Sequence, residues 1–453
     1  MPVPAPSSES PVPLPLLAQL AALPDPRIAR AKRHSLTDLL AIALLATLCG
    51  ADNYTEFASY GLARQAWLAT FLDLPNGIPS HDTFARVLRQ LDPKAFAGWL
   101  AAWSQALVGQ VPGVVAIDGK TARRSREATT HALHTVSAWA TDQQLTLGQV
   151  SVAAKSNEIT ALPALLALLQ LRDCTVTIDA IGCQTAVATA IRAKRAHYVL
   201  AVKGNQSWLL ERLVAIFAHG PDAVGYWART PHETVTQTEK NHGRIETRTY
   251  RLVPAAAVLA DRAAWTDLQS VGCVDATRHH VSGPLAGTTE QHRRYFITSL
   301  PAAVAPFAHA VRRHWPIENA CHWTLDVVFQ EDQNRARRDA GPANLVTLRR
   351  WALNLLRRDA THRHGLKTRR LHAGWDPEYL LHLLRLAGPT PVDDFYNAFA
   401  LILAVGRGSE WPSRPVASSR GPCAASPTTR LQATSTPEAS SSRMRTGSRQ
   451  ARR

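Results

Sequence analysis

The chain is poor in paired cysteines, in long apolar runs and in acidic residues, and each shortage narrows what it can be. Its six cysteines, Cys49, Cys174, Cys183, Cys273, Cys321 and Cys423, are scattered with no Cys-x-x-Cys pair. That spacing excludes a disulfide-held scaffold, argues against structural zinc and fits a reducing compartment. The most apolar segment, Leu39–Cys49, is too short to span a bilayer, so no membrane partner is expected. The first 24 residues lack the basic start and apolar run of a signal peptide. Acidic residues number 35 against 51 lysines and arginines, a formal charge of +16, and such an excess serves a polyanionic partner.

What is present fills in the rest. With 453 residues, 45% of them hydrophobic, the chain can bury a sizeable core in about two to three domains. Residues 1–26 are Pro- and Ser-rich without periodicity and read as a disordered arm. Residues 27–110 read as a small all-α domain: Leu36, Leu39, Leu40, Ala43 and Leu44 mark one apolar face, and Trp67, Leu68, Phe71 and Leu72 another. Within it, Ile78–Thr83 supplies turn and capping residues before a helix Phe84–Leu91 whose Arg86 and Arg89 are candidates for DNA contact, although a solvated bundle face explains them equally well.

After Val111 the pattern turns to strands, at Val114–Asp118, Thr135–Ala140 and Leu145–Val152, then a helix Ile159–Leu171, a strand Thr175–Asp179, a helix Gln184–Ala193 and a strand His197–Val202. Three strands, helix, strand, helix, strand is the order of an RNase H-like α/β core with a mixed sheet. A β-rich insertion is expected at about 205–298, with a helix at Trp208–Phe217 and strands at Thr247–Val253, Ser270–Ala276 and Arg294–Thr298. A helix follows from Ala303 through His314 and Glu318 to Leu325, with Pro316 placed to kink it, and then another over Ala343–Leu356. The core domain is read as 111–385. Residues 386–453 read as a mostly disordered basic tail, in which nine arginines from Gly406 onward outnumber Glu410 and Glu438 and so carry +7 of the net charge.

Asp118 and Asp179 each end an apolar strand run. Two carboxylates brought together at adjacent strand ends repel unless a cation neutralises them, and oxygen ligands favour Mg²⁺ or Mn²⁺. Against this stands a plainer reading, in which Asp118-Gly119 forms a turn and Asp179 caps the next element. A third carboxylate comes from Glu318, with Asp326, Glu331 and Asp332 competing for the role. His314 and His322 flank Glu318 at i−4 and i+4, on one helical face, and are candidates for phosphate or metal contact, with a structural histidine at least as good a reading.

The motifs then converge. Ala116-Ile117-Asp118-Gly119-Lys120 with Arg123-Arg124-Ser125, His134-Thr135-Val136-Ser137-Ala138 and Lys155-Ser156-Asn157-Glu158-Ile159-Thr160 occur in order. They are followed by Thr177-Ile178-Asp179-Ala180, Tyr198 to Gln206, His242-Gly243-Arg244-Ile245-Glu246 and His314-Trp315-Pro316-Ile317-Glu318-Asn319. In this series the sequence resembles the ISAs-type insertion-sequence transposases, or H-repeat-associated proteins, a DDE branch with an RNase H-like core, over about residues 27–385.

The resemblance implies a triad of Asp118, Asp179 and Glu318 holding two Mg²⁺ or Mn²⁺ ions, cleavage and strand transfer on DNA, and a dimer or higher oligomer on DNA in the bacterial cytoplasm at the nucleoid. Lys120, Arg123, Lys203, Arg244 and His314 are the further candidates for DNA contact, each weighed against ordinary surface charge or structural histidine. The looser pattern of related DDE enzymes has a Tyr and an Arg before the glutamate and a Lys after it, where this chain has Val311, His314 and Leu325. Two alternatives stay open: an RNase H-like nuclease that cuts without joining, and a non-catalytic DNA-binding protein or inactive element copy.

Overall fold

A computed structural model gives the fold, and it describes residues 15–109, 111–126, 131–152, 158–218, 232–241, 243–260 and 262–388. The motif residues Lys155–Asn157 and His242, the apolar island Phe395–Val405 and nearly all of the basic tail lie outside the described residues.

Helical structure begins earlier than composition implied. α1 spans Pro15–Leu20, because Leu16, Leu20 and Leu23 recur at helical spacing and are all buried. The expectation of a disordered arm over 1–26 is corrected for this part of it. α2 (Leu36–Leu48) is capped by Ser35, whose hydroxyl accepts the Asp38 N–H at 2.9 Å, and is apolar on nearly every side because it is buried on nearly every side. α3 (Tyr54–Ala63) is capped by Asn53, and a short α4 (Gln65–Leu68) follows. α5 (His81–Gln90) is capped by Ser80 and starts three residues before the expected Phe84. α6 (Pro93–Val108) has Asp92 as cap and proline in its first turn.

Among the described residues the sheet has nine strands: β1 (Val114–Ala122), β2 (Leu133–Ala140), β3 (Leu145–Ser151), β4 (Thr175–Ile178), β5 (His197–Val202), β6 (Glu233–Asn241), β7 (Arg244–Pro254), β8 (Ser270–His280) and β9 (Thr289–Thr298). Their spatial order is β3-β2-β1-β4-β5-β9-β8-β7-β6. β4 and β5 lie parallel to β1, while β2, β3 and the β6–β9 meander are antiparallel to their neighbours. The β-rich insertion therefore extends the core sheet through β9 against β5. β6 was not anticipated, because its Thr-Gln-Thr-Glu-Lys run lies at the sheet edge and is largely exposed, without an apolar face.

Alternate residues of β1 face opposite layers. Val115 and Ile117 join the core under α7 (Glu158–Leu168), α8 (Thr185–Ala193) and α9 (Ser207–Ile216), whereas Val114 and Ala116 face the other side. After the short α10 (Ala255–Val258), that second side receives α11 (Val304–His314). Beyond a six-residue π-helical turn and α12 (Trp323–Val327) it also receives α13 (Gly341–Arg358), followed by α14 (Leu366–Trp375) and α15 (Pro377–Arg385). α13 joins the helices to the sheet: Trp351 packs edge-on against Trp99 at 4.6 Å. Asn354 accepts the Thr146 N–H of β3 at 2.9 Å and donates to Ser104 of α6 at 3.1 Å. The N-terminal helices thus share one core with α12–α15.

Candidate active site

The register of β1 against β4 pairs Ile117 with Ile178, so Asp118 and Asp179 follow side by side. β1 does not end at Asp118. It continues to Ala122 against β2, with Asp118 opposite Ser137 and Gly119 opposite Val136. The turn reading of Asp118-Gly119 is corrected, and the glycine has another cause: a Cβ there would collide with the Glu158 carboxylate and the His134 ring, which hold each other at 2.6 Å on the α7 side. Asp179 does cap the next turn, its Oδ1 accepting the Ile181 N–H at 3.1 Å, and it does so while remaining beside Asp118.

Glu318 reaches the same place from the opposite layer. The expected helix from Ala303 to Leu325 keeps helical backbone angles but changes its winding: α11 ends at His314, and after Pro316 the segment Ile317–His322 adopts a π-helical turn. The proline cannot donate to the α-helical ladder, and π-turns in helices recur at functional sites. On this turn Ile317 and Cys321 are buried in the core while Glu318 is exposed. His322 is 6% exposed, with its Nδ1 3.5 Å from Asp118 Oδ2 and 3.8 Å from Glu318 Oε2. Ligand atoms of Asp118, Glu318 and His322 all lie within 4.8 Å of one another. Sequence spacing put His322 on the glutamate's face, with metal or phosphate contact weighed against a structural histidine.

The electrostatics are those of a site short of positive charge. Burial, and then the charge of Glu318, push the Asp118 carboxyl up to about 8, with Asp179 adding to the rise. Asp179 is also raised, by burial first, with Glu158 opposing its ionisation and Lys203 favouring it. Glu318 moves the other way, held ionised chiefly by the His322 imidazole. Two carboxylates and an imidazole gathered within ligand distance, with a third carboxylate alongside, form a donor set that fits a divalent cation.

The remaining candidates separate. Lys120 is 7% exposed, with Nζ 2.7 Å from Asp326, 3.5 Å from Asp332 and 3.7 Å from Glu331. It is therefore corrected from a DNA contact to the centre of a buried ion cluster, and the three acids that competed with Glu318 are its partners. His314 is likewise corrected: its Nδ1 lies 2.9 Å from Thr177 Oγ1, and burial lowers its pKa to about 4, so at neutral pH it brings no charge to a phosphate. Arg123 is exposed beside Asp332 at 3.3 Å. Lys203 is exposed and held near Asp179 by its neighbours: Asn205 and Gln206 donate to the Ala180 and Cys183 carbonyls at 2.7 and 2.8 Å. Asn205 makes that bond and does not cap α9.

Arg244 lines a groove with Arg248, Arg278, Arg294 and Arg312 that ends at Trp315 and Asn319, next to Glu318. Glu246 and Glu239 offset part of its charge. Arg86 is exposed on α5, and Arg89 is half-buried in a concavity whose lining includes none of the three carboxylates.

The chain matches two family models and several known proteins. Residues 109–355 match the model of the transposase DDE domain, and 17–104 match that of the DDE_Tnp_1-associated region. The chain is 36% identical over 373 residues to "Putative transposase YncI" of Escherichia coli O157:H7, covering 82% of this chain and 94% of that protein. It is 32% identical over 377 residues to "H repeat-associated putative transposase YhhI" of Escherichia coli K12, covering 82% and 98%. It is also 42% identical over 281 residues to an uncharacterised protein in the dhlA 3′ region of Xanthobacter autotrophicus, covering 61% and 92%.

Proposed function

Because this chain belongs to the DDE-domain transposase family, we propose that it cuts DNA at the ends of an insertion element and joins the freed ends to target DNA, with Asp118, Asp179 and Glu318 as the reactive carboxylates. The observation that carries this reading is Asp118: its carboxyl lies against Glu318 and His322 within ligand distance and is driven up to about 8 by burial and Glu318, so a bound divalent cation would displace its proton to solvent. Asp118 and Glu318 would hold the cation, with Asp179 alongside, and His322, near both Asp118 and Glu318, would orient their carboxylates. Two Mg²⁺ or Mn²⁺ ions, when bound there, would supply Lewis acidity for an in-line displacement at phosphorus.

In the first step a water oxygen attacks phosphorus at the element end, its proton is taken up by the surrounding carboxylates or solvent, and the 3′-oxygen leaves as a hydroxyl. In the second step that 3′-hydroxyl attacks a target phosphorus, forming the new phosphodiester bond and releasing the target's own 3′-oxygen. No covalent bond to the protein is needed. Lys203, beside Asp179, supplies positive charge for the phosphate being displaced.

The test is cleavage and joining of labelled DNA carrying the sequences that flank this gene, with Mg²⁺ or Mn²⁺. Joined product from the wild type, lost in Asp118→Ala, Asp179→Ala and Glu318→Ala, supports the proposal. Cleavage without joining would make it a nuclease, and binding without cleavage would make it a non-catalytic DNA-binding protein or an inactive element copy.

A further inference from the structure

A second strongly basic concavity lies on the face formed by α3, α5 and the segment before α13, and it is not part of the carboxylate site. Its walls are Asn53, Tyr54, Arg89, Arg335, Arg337 and Arg338, with Asn334, Ala336 and Leu345 completing the lining. Four arginines converge there and no carboxylate is among the lining residues. Like charges gathered in one concavity repel unless an anion lies between them.

Both asparagines are already committed. Asn53 caps α3 and bonds Glu56 at 2.6 Å, and Asn334 donates to the Asp52 carbonyl at 2.8 Å while accepting the Ala336 N–H at 3.0 Å. The Tyr54 hydroxyl, in contrast, is buried without a hydrogen-bond partner among the described residues, which is costly unless something else fills the place. Room for that hydroxyl is kept by Gly341, where a Cβ would stand 2.8 Å from Tyr54 Oη and 3.4 Å from Arg89 Cγ. Gly341 also opens the 18-residue α13, which carries no side-chain cap, so the positive end of a long helix dipole adds to the arginine field.

The choice of anion follows from what adjoins the pocket. Arg337 Nε donates to the Arg124 carbonyl at 3.3 Å, and Arg124 belongs to the turn Arg123–Ser125 that directly follows β1. Arg123 and Arg124 are exposed, so basic side chains run from the end of the strand bearing Asp118 into the pocket. A track of this kind fits an extended polyanion, and guanidinium forks match phosphate oxygens.

We propose that this pocket holds backbone phosphates of duplex DNA roughly 15–20 Å from the Asp118 site, counting about 3.3 Å per residue along β1. That is about five nucleotides from the scissile bond at ~3.4 Å per phosphate on one strand. The assignment rests on the DNA-processing reading above. Arg335 and Arg338 neutralise the phosphates, and the Tyr54 hydroxyl donates to one of their oxygens.

The experiment is a salt titration of the full-length protein binding a labelled duplex about three helical turns long, by fluorescence anisotropy with EDTA present. Arg335→Ala/Arg338→Ala is expected to weaken binding at least ~10-fold and to flatten the plot of log affinity against log salt by about 1–2, at ~0.9 per lost phosphate contact. Tyr54→Phe is expected to weaken binding a few-fold with the slope unchanged, since it removes a neutral donor. Melting temperatures near the wild type's show that the variants are folded.

A double variant that is folded and keeps the wild-type slope overturns the proposal. So does a thermal shift by inorganic phosphate that is lost in the double variant while the duplex slope stays unchanged, because the ligand is then a small free anion. Wild-type binding with the expected slope change but no cleavage in Mn²⁺ overturns the reaction proposed above and leaves the pocket standing. Wild-type cleavage with unchanged slopes overturns the pocket alone.

Discussion

Two acidic clusters lie at the two ends of the same stretch of β1, and they solve the same electrostatic problem in opposite ways. Asp326, Glu331 and Asp332 surround the Lys120 ammonium, with Arg350 adding a second cation to Glu331 at 3.3 Å. Among the described residues, Asp118, Asp179 and Glu318 are opposed by the partly removed Lys203 and by the imidazoles of His322 and His314. The first cluster is closed by the chain itself, whereas the second calls for charge from outside. Position in the sequence does not distinguish them, since Lys120 is two residues from Asp118 and Asp326 eight from Glu318.

The largest separation between the clusters is expected in catalysis. Asp118→Ala or Glu318→Ala should cut strand cleavage by at least ~10³-fold, about 4 kcal/mol at 1.36 kcal/mol per tenfold. Asp326→Asn, which leaves Lys120 two other carboxylates, should stay within about tenfold of wild type, or about 1.4 kcal/mol. The rate of release of labelled strand in Mn²⁺ measures both. An Asp326→Asn loss as deep as that of Asp118→Ala would break the comparison by placing Asp326 in the reaction.

Stability should separate them in the reverse direction. Lys120→Met leaves three carboxylates beside a buried vacancy of charge and should destabilise the fold by about 3–5 kcal/mol, read as a fall in the urea midpoint. A midpoint unchanged in this variant would mean that Arg350 alone suffices for Glu331.

Which parts of this contrast could be read from the sequence follows from the physics of each element. β1, β4 and β5 were legible because buried parallel strands are continuous apolar runs, and the ordered motifs around Asp118, Asp179 and Glu318 named the family. The continuation of β1 past Gly119 was not legible, since Asp-Gly is a turn signal on its own and only the approach of Glu158 and His134 from α7 explains the glycine. The partners of Lys120 were hidden for a similar reason: a lysine two residues past a strand aspartate looks exposed until the strand is seen to run on beneath α12. The π-turn at Ile317–His322 is a local departure from helical periodicity that only packing reveals. α1 was obscured by the prolines around it, although its leucines keep helical spacing.

A smaller effect concerns the unneutralised cluster without metal. The raised Asp118 carboxyl binds its proton more tightly in the folded chain than in the unfolded one, so its contribution is fully present below about pH 4. It is lost as pH rises through about 8. In EDTA, urea stability should therefore fall across that window, and Asp118→Asn should remove about 1–3 kcal/mol of the fall after allowance for coupling to Glu318. Added Mn²⁺ at pH 8 should raise the wild-type melting temperature and leave Asp118→Asn nearly unmoved. A wild-type profile flat from pH 4 to 8 would sink the account of Asp118.

The smallest effect on stability lies at the rim of the neutralised cluster. Arg123 touches Asp332 at 3.3 Å, but its side chain is 82% exposed, and a pair so open to water and salt contributes about 0.5 kcal/mol or less. Arg123→Ala should therefore leave the urea midpoint where it is, in contrast to Lys120→Met on the same acids. If Arg123 instead faces DNA, the same substitution should flatten the salt dependence of duplex binding by roughly 0.9, the value of one lost phosphate contact. A variant that loses stability while keeping the wild-type salt slope would assign Arg123 to the closed cluster and take it off the basic track that leads from the carboxylates to the arginine pocket.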